Sequence, residues 1–273
     1  MILKTLVENT SVSSDYKHKH GMCFYIETDS HKILFDLGKN GLFLENAEKM
    51  VVNISEIDIV IISHGHVDHG GALKIFLENN HSSKVYIRDN AFDKHYTKLL
   101  GFNIDVGLDS YLKYHPQVVL TGDTMVVDHG LTLFSNVETR ECYSTSNNAL
   151  FAKMGKNILV DDFSHEQSLI ISEKGKQILV AGCSHTGIIN IKNKAEQIVN
   201  NKISYIVAGF HLYNPVSRKV ESNTLIQEIA ERLKDNSTYY YTCHCTGKKA
   251  FYKMKEVLSE RLTYLSTGSE IEI

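Results

Sequence analysis

Short apolar runs bounded by polar turns dominate the first half of the chain. The run Ile57–Ser63 is almost wholly apolar, which predicts a strand that is buried on both faces. A helix is predicted to follow it over Gly71–Glu78. The other elements predicted in this half are strands at Met22–Glu27, Lys32–Phe35 and Lys84–Arg88 and a helix at Ala91–Leu100.

A series of short strands begins after Gln117, and the turns between the strands carry Gly, Asp and Asn, as tight turns require. The strands predicted in this series lie at Val118–Leu120, Thr124–Val127, Leu131–Phe134, Leu150–Lys153 and Asn157–Val160.

The second half of the chain repeats the arrangement of strands followed by helices. Glu221–Lys234 has apolar residues at helical spacing, whereas Glu173–Lys176 is a turn between two strands. The elements predicted are a hairpin of Ser168–Ser172 with Gln177–Ala181, a helix ending near Val199, a strand at Ser204–Ala208, a helix at Glu221–Lys234, a strand at Thr238–Tyr241, a helix at Lys248–Leu258 and a C-terminal strand pair.

Two sets of strands, each ending in helices, predict an α/β protein. The expected architecture is a four-layer αββα sandwich, in which two mixed sheets pack face to face with helices outside. A single domain over residues 1–273 is expected to contain both sheets.

Composition narrows the function classes. The 273 residues are 42% hydrophobic and 22% charged with a net charge of −3, which is typical of a soluble globular protein. The chain has no basic stretch for nucleic acid, no apolar run long enough to span a membrane and no apolar signal-peptide core. Its five cysteines are an odd number, which favours free thiols and a cytoplasmic location.

The segment Ser63–Gly71 contains three histidines and one aspartate directly after the buried strand, where open α/β sheets carry ligands. His64 and His66 are two residues apart, so an extended chain points both imidazoles the same way. Asp68 and His69 fall at the start of the next helix. Imidazole and carboxylate ligands predict one or two Zn²⁺ ions, with Fe or Mn as alternatives.

The pattern His64-x-His66-x-Asp68-His69 resembles the metallo-β-lactamase superfamily, whose fold is an αββα sandwich with a mono- or dinuclear metal site. Further segments resemble the branch of 7,8-dihydropterin-6-yl-methyl-4-(β-D-ribofuranosyl)aminobenzene-5′-phosphate synthases. These segments are Val7–Thr10, His20–Gly21, Leu34–Gly38, Gly182–Asn190, Gly209–Leu212 and His244–Gly247.

The resemblance implies that His64, His66 and a later histidine bind one metal. Asp68, His69 and a final histidine, matched by His244, would bind the other, and a bridging aspartate is expected between the two metals.

Two alignments of the later motifs remain open. One places His165 at the third motif and Cys183 at the bridging position; the other places His185 at the third motif and His211 near the bridging position. In both, the bridging aspartate is absent. We expect His185 to be a ligand, with His165, Cys183 and His20 as further candidates.

The sequence predicts catalytic roles for Asp68 and for His211, the latter as a substrate-facing acid or hydrogen-bond donor. Asp36 is expected to orient a ligand histidine through its ring N–H. The remaining histidines are expected to be solvated: His18, His31, His81, His95, His115 and His129.

The leading functional hypothesis is a metal-dependent, hydrolase-type enzyme for a small phosphorylated or cyclic metabolite, in which metal activates water or stabilises a leaving group. One alternative is a synthase that condenses a dihydropterin pyrophosphate with an aryl ribosyl phosphate and expels pyrophosphate. Another is a metal-bound sensor of small molecules without turnover. Neither nucleic acid nor a membrane is an expected partner, and a homo-oligomer is compatible with the sequence.

Overall fold

The structure, a computed structural model, describes residues 1–99 and 101–273. The chain divides into two compact units. Unit 1 comprises Met1–His95, Asp105–Gly122 and Leu265–Ile273, and unit 2 comprises Tyr96–Ile104 and Asp123–Tyr264. The prediction of a single domain over residues 1–273 stays a prediction.

The described residues form α-helices, β-strands and short 3₁₀ turns. The helices are α1 (Leu42–Lys49), α2 (Val67–Gly70), α3 (Leu73–Asn79), α4 (Ile188–Val199), α5 (Asn223–Leu233) and α6 (Lys248–Leu258). The first ten strands are β1 (Ile2–Val7), β2 (Cys23–Glu27), β3 (Lys32–Phe35), β4 (Ile59–Ile61), β5 (Lys84–Arg88), β6 (His95–Leu99), β7 (Phe102–Asp105), β8 (Val118–Thr121), β9 (Thr124–Asp128) and β10 (Leu131–Ser135). The later strands are β11 (Leu150–Met154), β12 (Asn157–Val160), β13 (Gln167–Glu173), β14 (Lys176–Val180), β15 (Tyr205–Ala208), β16 (Tyr213–Asn214), β17 (Lys219–Val220), β18 (Tyr239–Thr242), β19 (Leu262–Tyr264) and β20 (Glu270–Glu272).

Unit 1 is built on a seven-stranded mixed sheet in the order β20-β1-β2-β3-β4-β5-β8. The first three pairings are antiparallel and the last three are parallel. Helices α1 and α3 contribute Phe43 and Phe76 to its hydrophobic core, with ring centroids 6.5 Å apart. All three residues of β4 are buried, as predicted for the run Ile57–Ser63, because apolar residues occupy both faces of that strand.

Unit 2 is built on a second seven-stranded mixed sheet, in the order β9-β10-β13-β14-β15-β18-β19. Its first three pairings are again antiparallel and its last three parallel. The core of this unit includes Ile191 of α4, Ile229 of α5 and Met254 of α6. The predicted α/β class, with two mixed sheets and repeated strand–helix order, is therefore confirmed.

The described residues also form two smaller sheets. One has the order β12-β11-β6-β7, and the other pairs β16 with β17. Within the ranges that the structure describes, every helix falls short of the length and apolar character needed to cross a membrane.

The helix predicted at Ala91–Leu100 is wrong. A 3₁₀ turn, Asp89–Phe92, is followed by strand β6, and Leu100 lies outside the described residues. In β6, His95 and Thr97 are buried while Lys98 is exposed, so side-chain burial changes from residue to residue as in a strand.

The C-terminal strands also differ from the expected pair. Strand β19 pairs with β18 in unit 2, whereas β20 pairs with β1 in unit 1. Strand β1, helix α1 and the β16–β17 hairpin were not predicted from the sequence.

Candidate metal centre

Three histidines form a buried cluster at the carboxyl end of β4 in unit 1. His64 and His69 have no exposed surface, and His66 is buried as well. The ring centroid of His64 lies 4.6 Å from that of His66 and 4.2 Å from that of His69. The sequence prediction that the short His-x-His spacing brings these imidazoles together is confirmed.

A carboxylate and a hydroxyl orient two of these rings. Asp36 Oδ2 accepts a hydrogen bond from His69 Nδ1 at 2.6 Å, so the predicted contact of Asp36 with a histidine ring nitrogen is confirmed. The Ser63 hydroxyl donates to the same oxygen at 2.7 Å, and Asp36 Oδ1 accepts from the Ser63 backbone N–H. Because the Ser63 hydroxyl donates its only proton to Asp36, its oxygen must accept a hydrogen bond from His64 Nδ1, which lies 2.8 Å away.

These hydrogen bonds determine the tautomers of His64 and His69. Each ring carries its proton on Nδ1, so each presents the lone pair of Nε2 as a donor to a metal. Three buried imidazoles next to a carboxylate are a donor set that Zn²⁺ and related divalent ions accept. The residues present therefore fit the predicted metal.

Asp68 lies at the start of α2 and is only partly buried. Its Oδ2 is 3.1 Å from His20 Nε2 and 3.8 Å from His69 Nε2. The His20 side chain is well exposed. Gly21 allows this approach, because a Cβ there would lie 2.7 Å from the Asp68 carbonyl oxygen and its φ is +144°.

His95 does not lie in solvent as predicted; it is 2% exposed. Its ring centroid lies 5.8 Å from that of His66, and Nε2 is 3.3 Å from the Asn90 carbonyl oxygen. Gly65 makes room for it, because a Cβ at Gly65 would lie 2.8 Å from His95 Nε2. The prediction rested on the polar sequence context of His95, whereas its place at the start of β6 buries the ring.

The candidates of unit 2 follow the carboxyl ends of its parallel strands. Cys183 and His185 come after β14, His211 after β15 and His244 after β18. All four are buried. This is the position in α/β sheets at which ligands bind, as the sequence predicts.

His185 is held by neighbours on three sides. Its Nδ1 lies 3.0 Å from Asn147 Oδ1, and its ring stacks on Phe163 with centroids 4.4 Å apart. Glu166 accepts a hydrogen bond from the His185 backbone N–H at 2.7 Å. The sequence analysis did not identify Asn147, Phe163 or Glu166.

His165, a candidate ligand from the sequence, is buried with 1% of its surface exposed. Its Nε2 lies 3.2 Å from Asp161 Oδ2. The hairpin of β13 with β14 follows His165 as predicted, and α4 stands where the other alignment needs a hairpin. The secondary structure thus favours the first alignment, while the ligand roles of His165, Cys183 and His185 stay predictions.

His211 lies among sulfur atoms and another imidazole. One ring nitrogen of His211 and the sulfurs of Cys183 and Cys245 all lie within 4.8 Å of one another, and the His185 ring centroid is 4.2 Å away. Burial alone would raise the pKa of the Cys245 thiol, but interactions with Cys183 and His211 and nearby positive charge lower it well below its usual value. The His211 ring thus lies beside the Cys245 thiol, and its role toward a substrate stays a prediction.

Several candidate residues adopt a left-handed backbone conformation that is uncommon outside glycine. The φ angles are +59° at Asp36, +57° at Phe163, +57° at Ser184 and +50° at both His211 and His244. Such conformations cost free energy and cluster at functional sites. They turn the chain sharply where it leaves a strand, and this sets the direction of the following side chains.

The sequence of the chain is similar to those of known metal-dependent and related proteins. A family model described as the metallo-beta-lactamase superfamily matches residues 18–137. An uncharacterised protein of Methanocaldococcus jannaschii is 28% identical over 94% of this chain and 94% of its own length. A 7,8-dihydropterin-6-methyl-4-(beta-D-ribofuranosyl)-aminobenzene-5'-phosphate synthase of the same organism is 28% identical over 98% of this chain and 95% of its own length.

A crystal structure described as a metal-dependent hydrolase of the beta-lactamase superfamily has a TM-score of 0.83 and 26% identity. The match covers 100% of this chain and 99% of that chain. The chain therefore has the metallo-β-lactamase fold and resembles that superfamily. The chain is also similar to the dihydropterin synthase branch, as its sequence motifs predict.

Proposed function

We propose that the chain is a metal-dependent, hydrolase-type enzyme that acts on a small phosphorylated or cyclic metabolite. The buried cluster of His64, His66 and His69 carries this proposal, since Asp36 and Ser63 fix the Nε2 lone pairs of two of its rings as metal donors. The family resemblance adds His185 and His244 as ligands, with Zn²⁺ as the favoured ion and Fe or Mn as alternatives.

Further candidate ligands have weaker support. His165 and Cys183 are buried near the ends of strands in unit 2, and His20 contacts Asp68 in unit 1.

A bound divalent ion would lower the pKa of a coordinated water and polarise the bond to be broken. The chain supplies the remaining functions. Asp68 holds a carboxylate beside His20 and His69, where it can bind metal or accept a proton. His211 lies beside the Cys245 thiol and the His185 ring and is proposed to donate a hydrogen bond or a proton to the substrate.

The second candidate function is that of the synthase to which the chain is 28% identical over nearly its whole length. The reaction expected for it condenses a dihydropterin pyrophosphate with an aryl ribosyl phosphate and expels pyrophosphate. The same imidazoles and Asp68 would then help to stabilise a leaving group rather than to activate a nucleophilic water. Binding of a small molecule without turnover is the third candidate.

A panel of bis(p-nitrophenyl) phosphate, a lactone and a thioester tests the hydrolase proposal. We expect the zinc-loaded chain to hydrolyse at least one member, to lose this activity after chelation and to regain it when zinc is restored. Release of pyrophosphate from a mixture of the dihydropterin pyrophosphate and the aryl ribosyl phosphate, without hydrolysis of any panel member, would support the synthase. Turnover that chelation leaves unchanged would contradict both enzyme proposals, and absence of all turnover in zinc-loaded protein would favour the sensor.

A further inference from the structure

Asn147 makes two hydrogen bonds to one residue, His185. Its side-chain Nδ2 donates to the His185 carbonyl oxygen at 2.8 Å, and its Oδ1 lies 3.0 Å from His185 Nδ1. Both residues are at least nine-tenths buried, with Asn147 fully so. Because the two residues are 38 positions apart in sequence, the contact depends on the fold rather than on local chain geometry.

This pair of contacts determines which nitrogen of His185 carries the proton. A backbone carbonyl oxygen can only accept, so the Asn147 amide must turn its NH₂ group toward it. The amide oxygen then faces His185 Nδ1 and accepts a hydrogen bond from its N–H. The neutral ring is therefore the Nδ1–H tautomer, whose lone pair is on Nε2, and this is the same result that Asp36 and Ser63 give for His69 and His64.

The surroundings hold both partners in place. Glu166 accepts hydrogen bonds from the backbone N–H groups of His185 and Thr186 at 2.7 and 3.0 Å and from the Thr186 hydroxyl at 2.7 Å. Phe163 stacks on the His185 ring with an interplanar angle of 2°. Glu166 and Phe163 thus fix the backbone and the ring plane of His185 without Asn147. What remains for Asn147 to prevent is a half-turn flip of the ring within that plane or a change of tautomer.

Glu221 braces the turn that carries Asn147. Its carboxylate accepts hydrogen bonds from the Ser144 and Thr145 hydroxyls, each at 2.9 Å, and from the Ser146 backbone N–H at 2.9 Å. Burial would raise the pKa of Glu221, but these hydrogen bonds lower it below its usual value, so the brace is charged at neutral pH.

We propose that Asn147 is a positioning residue that fixes His185 as an Nε2 donor for the metal. The proposal rests on the metal-dependent function and deepens it, because it assigns a residue outside the ligand set to the control of one ligand. Groups that orient a ligand histidine in this way typically change metal affinity by roughly 10–100-fold when they are removed.

The test combines the tautomer of His185 with the dissociation constant for Zn²⁺ in the full chain. Long-range ¹H–¹⁵N spectra of ¹⁵N-histidine-labelled, chelator-treated protein report the tautomer, and the His185→Gln variant identifies the signal. We expect the parent to show Nδ1–H. In Asn147→Leu, we expect the proton to shift toward Nε2 and the zinc dissociation constant to rise by roughly 10–100-fold.

Two variants separate positioning from a general loss of stability. Asn147→Asp retains an acceptor for Nδ1 and should keep the parent tautomer and most of the zinc affinity. Asn46→Leu removes another fully buried asparagine, whose amide donates to the Leu6 and Lys17 carbonyls in unit 1, and it should change neither readout.

An Nε2–H tautomer in the parent, or an Asn147→Leu variant with unchanged tautomer and zinc affinity, would overturn the proposal. A tautomer that responds to Asn147 while neither Asn147→Leu nor His185→Gln changes zinc affinity would also overturn it, since His185 would then not be a ligand. That outcome leaves the centre at His64 and His66 standing. A parent chain that binds no zinc would instead overturn the metal-dependent function itself.

Discussion

Replacing Asp36 by asparagine should remove most of the metal affinity while leaving the fold in place. In the parent, Asp36 Oδ1 accepts from the Ser63 backbone N–H, and Oδ2 accepts from the Ser63 hydroxyl and from His69 Nδ1. An asparagine must keep its oxygen toward the backbone N–H and so turns its NH₂ group toward His69. The proton of the neutral ring then moves to Nε2, and the metal donor is lost.

The backbone at Asp36 has a φ of +59°, which asparagine tolerates about as well as aspartate, so we expect a small change in fold stability. Zinc titration should show an affinity lower by roughly 10–100-fold, and circular dichroism should show an unchanged fold. Asp58→Asn is the matched control, because Asp58 Oδ2 lies 2.7 Å from His31 Nδ1 in an exposed pair outside the centre. Equal zinc affinities for Asp36→Asn and Asp58→Asn would contradict this role of Asp36.

Replacing Asp68 by alanine should lower kcat by roughly 10²–10⁴-fold on whichever substrate the parent turns over, because a positioned proton acceptor and candidate ligand is lost. Asp68 is partly exposed and contacts His20 and His69 through one oxygen, so its removal should cost little stability.

Asp109→Ala is the control for Asp68→Ala, since it also removes a carboxylate at the start of a helical turn, at an exposed position. Steady-state kinetics with metal saturating in each variant provide the measurement. Activity that is insensitive to Asp68→Ala under these conditions would remove Asp68 from the mechanism.

The sequence was sufficient for the parts of the structure that depend on local spacing. The period of two places His64 and His66 on one side of an extended chain, and their position after a buried strand places them at the end of a sheet. The boundaries of β3, β5, β12 and α6 agree with prediction to the residue, because polar or glycine-containing turns delimit each of them.

The residues that orient the ligands could not be predicted in the same way. Asn147 and Glu166 act on His185 from 38 and 19 positions away, and an amide or carboxylate at such a separation leaves no local pattern. His95 was expected in solvent because its sequence context is polar, whereas in the folded protein it begins strand β6 and is buried.

Metal content tests the central claim of a metal centre at His64 and His66 most directly. Inductively coupled plasma mass spectrometry should find at least one divalent ion per chain in the purified parent and less than one in the folded His64→Ala/His66→Ala variant. A His31→Ala/His115→Ala variant, in which two histidines outside the centre are removed, should retain the parent content. The same metal content in all three proteins, or a parent that contains no metal under any growth condition, would contradict the account.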